Sequence, residues 1–216
     1  MGLIPVPVRM TVIRLSGGAL VLHSPTLYGT GLHGSLQSLG RIEHLVAPNV
    51  AHWMFLAEWQ ARIPGAATWA APGLRDRFAV RRSGLRLDRD LGETAPGIWA
   101  GEIDQIVVPG LLGFSEVALF HRPTRTMIVA DLVQNLETGK LPPALRLFAL
   151  LAGNAGPSGR APIYLRAIVR MKGEAARSAA RRLVALRPER VIFSHGRWFA
   201  ENGAARLEHS LAWLTQ

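Results

Sequence analysis

Val191-Ile192-Phe193-Ser194-His195-Gly196 sets apolar, β-prone residues ahead of a small polar residue, a histidine and a glycine. It reads as a short buried strand that delivers a histidine just past its carboxyl end. Ile128-Val129-Ala130-Asp131 does the same with a carboxylate. A strand over Ile42 to Val46 runs into Ala47-Pro48-Asn49-Val50-Ala51 and then His52, which is expected to open a helix. In layered α/β proteins the residues beyond the carboxyl ends of strands line the ligand crevice. His52, Asp131 and His195 therefore read together as a two-histidine, one-carboxylate metal site.

The rest of the chain fits a layered α/β architecture. Thr11 to Leu15 and Ala19 to His23 flank Ser16-Gly17-Gly18 and predict a hairpin. Leu32, Leu36 and Leu39 have helical spacing up to Gly40, and the helix from His52 carries Trp53, Phe55, Leu56 and Trp59 to a stop before Pro64-Gly65. Ala67 to Ala71 resumes the sheet, and Pro72-Gly73 turns into a short basic helix. Arg81 to Gly97 is polar and turn-rich and reads as an exposed loop or small hairpin. Strands are expected over Glu102 to Val108, Glu116 to Phe120 and Thr126 to Ala130, and helices over Leu141 to Ala152, much of Pro162 to Leu186, and Gly203 to Leu214.

Composition limits the chemistry. At 216 residues, 49% hydrophobic and 19% charged, the chain reads as one folded domain spanning residues 1–216. It has no cysteine, which excludes disulfides, thiolate metal sites and a cysteine nucleophile. The start carries Pro5, Pro7 and Arg9 rather than a signal pattern, so a cytoplasmic location is expected. Leu141 to Ala152 is too short to span a bilayer and contains Arg146, which suits a core or lid helix.

Twenty-five lysines and arginines against fifteen acids leave a net charge of +10, which favours anionic partners. If Pro162 to Leu186 were one helix, Arg166, Arg170, Arg177 and Arg181 would share a stripe, although Gly173 interrupts it. No zinc finger, aromatic RNA-binding motif or glycine-rich phosphate loop accompanies it, so nucleic acid ranks behind a small-molecule, anionic substrate as partner.

The order of these segments resembles the metallo-β-lactamase superfamily over nearly the whole chain from Thr11. The residues that carry the likeness are Val107-Val108-Pro109-Gly110, Ile128-Val129-Ala130-Asp131 and Val191-Ile192-Phe193-Ser194-His195-Gly196. The resemblance implies a four-layer αββα sandwich with a metal site where the two sheets meet. It also exposes departures. The superfamily's His-x-His-x-Asp-His motif falls on Ala47-Pro48-Asn49-Val50-Ala51-His52, and the histidine after Val-Pro-Gly is Leu111. All three histidines implied for the first metal are thus replaced, by Ala47, Asn49 and Leu111. Of the four ligands implied for the second, His52, Asp131 and His195 remain, and Ala51 stands where an aspartate would.

The first reading is therefore a mononuclear metal-dependent hydrolase of a divergent branch. It would hold one divalent transition metal, zinc first and iron or manganese as alternatives, with Asp131 both ligand and orienter of water. The second is a metal-free member of the fold that binds or scaffolds, and the third a basic nucleic-acid-binding protein. Glu116 is expected to face solvent or pair with Arg122 or Arg125, His121 to be exposed at a turn, His23 to be structural, and Asn49 to hold its loop or touch substrate.

Overall fold

Alternation along each strand decides the layers. In β2 (Ala19–His23), Leu20 and Leu22 point one way and Val21 the other. β2 pairs antiparallel with β1 (Thr11–Arg14), as the hairpin expectation requires. After α1 (Thr30–Gln37), β3 (Arg41–Ala47) lies parallel to β2. After α2 (Leu56–Arg62), β4 (Ala67–Ala70) lies parallel to β3. α3 (Phe78–Arg81) leads to β5 (Arg89–Asp90), which completes a five-stranded sheet in the order β1-β2-β3-β4-β5. The computed structural model describes residues 7–157 and 159–216.

The second sheet begins with the antiparallel pair β6 (Ile103–Pro109) and β7 (Ser115–His121), continues to β8 (Thr126–Ile128), and ends on β10 (Arg190–Ile192) parallel to β8. Between β8 and β10 lie β9 (Gln134–Asn135), α4 (Pro143–Ala152), α5 (Ile163–Arg170) and α6 (Glu174–Ala185). β11 (His195–Gly196) pairs parallel with β9, and α7 (Gly203–Thr215) closes the chain.

Three apolar clusters separate four layers. Leu20, Leu22 and Leu45 pack under Leu36 of α1 and Leu56 and Trp59 of α2. Val21, Val46 and Trp69 meet Val107, Val117 and Leu119 between the sheets. Val108, Ala118 and Phe120 pack on Leu165 of α5, Leu183 of α6 and Leu207 of α7. This is the αββα sandwich expected from the sequence, with each sheet buried on both faces as sheets covered by helices require.

Two local expectations are corrected, and the interruption expected at Gly173 is seen. The helix after β3 begins at Leu56, not His52: residues 52–55 form a turn, at whose entry Asn49 Oδ1 accepts from the Ala51 and His52 amides. Pro162 to Leu186 is two helices: Gly173 takes φ +70°, and the arginines fall on separate elements. Residues 81–97 are not all exposed loop, since β5 extends the sheet and Leu91 is buried. Among the described residues no helix is long and apolar enough to cross a membrane.

Candidate metal centre

Parallel pairing explains why two distant residues converge. Ile128 of β8 is in register with Ile192 of β10, and Val129 and Ser194 continue the ladder through bonds to Ile192 and Ala130 carbonyls. Asp131 and His195 each lie three residues past that pair, so they leave the sheet side by side. The third segment arrives from the other sheet: Asn49 bridges to Glu116 of β7, and Val117 N–H donates to the Pro48 carbonyl at 2.8 Å. The tie holds the turn after β3 against β7 and β8 and brings in His52.

The three side chains meet. His52 Nε2 is 3.1 Å from Asp131 Oδ2, His195 Nε2 is 3.2 Å from Asp131 Oδ1, and the two Nε2 atoms are 3.3 Å apart. Donors at ~2.1 Å from one ion, with angles between octahedral and tetrahedral, would be spaced about 3.0–3.4 Å from each other. Both rings are also turned correctly. His195 Nδ1 is bonded to the Pro7 carbonyl at 2.8 Å, which fixes the proton on Nδ1 and leaves the Nε2 lone pair facing inward when the ring is neutral. His52 Nδ1 is bonded to Ser24 Oγ at 2.6 Å, with Ser24 held at a positive φ of 56° just past β2.

Asp131 is immobilised by side-chain amides. Asn49 Nδ2 donates to its Oδ2 at 2.8 Å and Gln134 Nε2 to its Oδ1 at 2.8 Å, and Asn154 Nδ2 in turn holds Gln134 Oε1 at 2.7 Å. Each carboxylate oxygen keeps one lone pair toward the histidines. Burial opposes the Asp131 charge, but the two imidazoles outweigh it and hold its carboxyl well below the usual range. Burial likewise works against a charged His195, and the Asp131 hydrogen bond and charge prevail and push it up. The donor set thus fits a divalent transition metal: two imidazoles, one locked carboxylate and anchored outer partners.

Glu116 overturns its sequence expectation. It neither faces solvent nor pairs with Arg122 or Arg125, but is fully buried behind Asp131. Its Oε1 accepts from the amides of Ala130 and Leu132, and its Oε2 from the Asp131 amide at 2.7 Å and Asn49 Nδ2 at 3.0 Å. Burial and the Asp131 charge push its carboxyl up, while these donors draw it down. The physical reason is that β7 lies inside the second sheet, between β6 and β8 and covered on both faces, so Glu116 has no route to water. Asn49 holds its loop, its Oδ1 accepting from the Ala51 and His52 amides. Ser24, Gln134, Asn154 and Arg9, which donates to the carbonyls of Phe193 and Gly196, belong to the surroundings and were not legible in advance. His121 sits at the β7–β8 turn, bonded to Thr124.

His23 is structural as expected, but at a cost. It is fully buried, neither ring nitrogen has a hydrogen-bond partner among the described residues, and burial together with nearby His52 lowers its pKa to about 3. The unfolded chain binds this proton below about pH 6.5 and the folded chain does not, so stability falls as pH drops through the window from 6.5 toward 3. At pH 5 the loss from this group is about 2 kcal/mol. His23→Leu should show a smaller fall in melting temperature between pH 7 and pH 5 in chelator, and an unchanged fall would refute the assignment.

A cleft of about 440 Å³ is lined by Ser194 and Gly196, the chain neighbours of His195, and by none of the three triad side chains. Its walls are mainly apolar, with Val8, Met10, Leu32 and Leu141, and Lys140 at the rim.

A family model described as "Domain of unknown function (DUF4336)" matches residues 1–173, which takes in His52 and Asp131 and stops short of His195. No curated protein matches the sequence. Among solved structures the chain is similar to a metallo-β-lactamase from Pontibacter korlensis, at 14% identity over 97% of this chain and 94% of that one, with a TM-score of 0.57. It is similar also to the metallo-β-lactamase FIM-1 from Pseudomonas aeruginosa in its mono-zinc form, at 13% identity, 97% and 95% coverage and a TM-score of 0.56. Rubredoxin oxygen:oxidoreductase from Desulfovibrio gigas shares the fold over 95% of this chain and 52% of that one, at 14% identity and a TM-score of 0.55. These identities show a common fold.

Proposed function

The chain belongs to the DUF4336 family and has the metallo-β-lactamase fold, and from that premise we propose that residues 1–216 form a single domain acting as a mononuclear metal-dependent hydrolase on a small molecule. The observation that carries the reading is the convergence of His52, Asp131 and His195 with donor atoms 3.1–3.3 Å apart and both Nδ1 atoms engaged outward. The mono-zinc form of FIM-1 offers a precedent on this fold for a single ion.

A divalent ion held by these three, zinc first and iron or manganese as alternatives, would supply Lewis acidity and a water acidified toward a pKa of about 7. The protein's own groups supply the rest. Asp131, clamped by Asn49 and Gln134, would contribute the one negative ligand among the three, and its second oxygen would be placed to orient a water. Pro7 and Ser24 fix the two rings. The replacement by Ala47, Asn49 and Leu111 of the three histidines that the family resemblance implies for a further metal argues for one ion, not two.

The alternative is a metal-free binding module on the same cleft. It is favoured by one observation: Asp131 already accepts from two amides and faces two imidazoles, so the cluster is satisfied without an ion.

Asp131→Asn separates the two. The chain should stay folded, because the amide of Asn154 has an unpartnered Oδ1 and can flip together with Gln134 to meet the new NH₂ group. Metal affinity should drop by more than the 10–100-fold that an outer partner costs, and metal-dependent turnover of a panel of ester, thioester, amide and phosphoester substrates should vanish. Under the binding-module reading, substrate-analogue affinity and melting temperature would be indifferent to metal in both proteins.

A further inference from the structure

Helix α4 has two apolar faces where one suffices. Leu145, Ala149 and Ala152, at i, i+4 and i+7, are buried against the protein. Ala144, Leu147, Phe148 and Leu151, at i, i+3, i+4 and i+7, form a second stripe on the outside, with Leu147 59% and Leu151 74% exposed. Ile163 and Tyr164 at the start of α5 are 59% and 58% exposed, and Met171 just past α5 is 69% exposed. The two helices adjoin, since the Arg166 guanidinium lies against Gly153 at the end of α4. Contiguous exposed apolar surface of this kind marks an interaction site.

Charge identifies the occupant. From Thr138 to Gly173 the sequence has Lys140, Arg146, Arg160, Arg166, Arg170 and Lys172 and no acidic residue. Of these six, only Lys140 is ion-paired among the described residues, with Glu137 just outside the segment. A second copy of the chain would set six cations against six, which repels. A face of leucine, phenylalanine and tyrosine among unpaired arginines suits a surface that is both negatively charged and able to take up apolar side chains. We infer that α4 and the start of α5 dock on an anionic lipid bilayer, lying in its interface with Leu147, Phe148 and Leu151 inserted and the arginines at the headgroups.

Docking also orients the candidate site. Lys140 and Leu141, immediately before α4, line the cleft beside His195. Tyr164 stands close enough to Asp131 to feel its charge. One wall of the cleft therefore adjoins the docking face, whether or not the metal is present.

Flotation of the full chain with phosphatidylcholine vesicles, with and without phosphatidylglycerol, tests this. The wild type should float with anionic vesicles and not with neutral ones, and high salt should weaken the association. Leu147→Gln/Leu151→Gln should lower partition by roughly tenfold or more. Arg146→Gln/Arg170→Gln should lower it by about fivefold per cation, the roughly 1 kcal/mol each gains near such a surface. Both pairs change exposed residues and should melt with the wild type. The same charge change at Arg14→Gln/Arg41→Gln, at the amino end of β3, should leave partition nearly unaltered. No flotation with anionic vesicles, equal loss in the Arg14/Arg41 pair, or unchanged partition in the leucine pair overturns the proposal. So does self-association that the leucine pair abolishes in a chain that does not bind vesicles, which would assign the face to a second copy.

Discussion

His195→Ala should leave a folded protein that no longer holds a transition metal. Two ligands, His52 and Asp131, would remain, and two rarely hold a catalytic divalent ion against water. In the wild type, metal at 100 times its dissociation constant should stabilise the fold by about 2.7 kcal/mol, raising the melting temperature by roughly 5–10 °C. In His195→Ala the same addition should produce no shift, and any hydrolysis should fall to background. Differential scanning fluorimetry with and without chelator reads the first effect. A wild-type metal shift, or wild-type turnover, in this variant would remove His195 from the site.

Glu116→Gln should destabilise the protein by about 3–5 kcal/mol even in chelator. Each carboxylate oxygen accepts two N–H groups, so an amide in either orientation turns its NH₂ toward two donors. The loss should appear as a fall in melting temperature of roughly 10 °C, with metal affinity weakened through Asp131 and Asn49 rather than lost. A variant that melts with the wild type would mean that the Ala130–Leu132 backbone does not depend on this carboxylate.

The contrast between Asp131 and Glu116 shows what the sequence carries. Asp131 and His195 follow short apolar runs, and the strand-end rule locates them without knowledge of pairing, because a strand buried on both faces must discharge its first polar residues at its end. His52 was placed by the same rule, although the helix expected to start there begins four residues later. Glu116 lies inside a strand whose neighbours, Val117 to Phe120, alternate between two apolar interfaces. Nothing local distinguishes a glutamate there from one at an exposed edge. Its partners come from residues 130–132 and from Asn49 on the other sheet, contacts that exist only once both sheets are stacked. The same holds for Arg9, Ser24 and Asn154, which reach the site from distant parts of the chain, whereas Gln134 holds Asp131 from only three residues away. The layers themselves were legible because strands buried on both faces read as short apolar runs between turn signals, whereas Gly173 and Asn49 reset helix boundaries through backbone conformation and a side-chain turn, which periodicity does not encode.

The most direct measurement is the metal content of the chain, by elemental analysis after purification without added metal and again after dialysis against zinc, iron(II) and manganese(II) in turn. The account predicts one transition-metal ion per chain with at least one of them, and none in His195→Ala. No bound metal under any of these conditions, or two ions per chain, would contradict it.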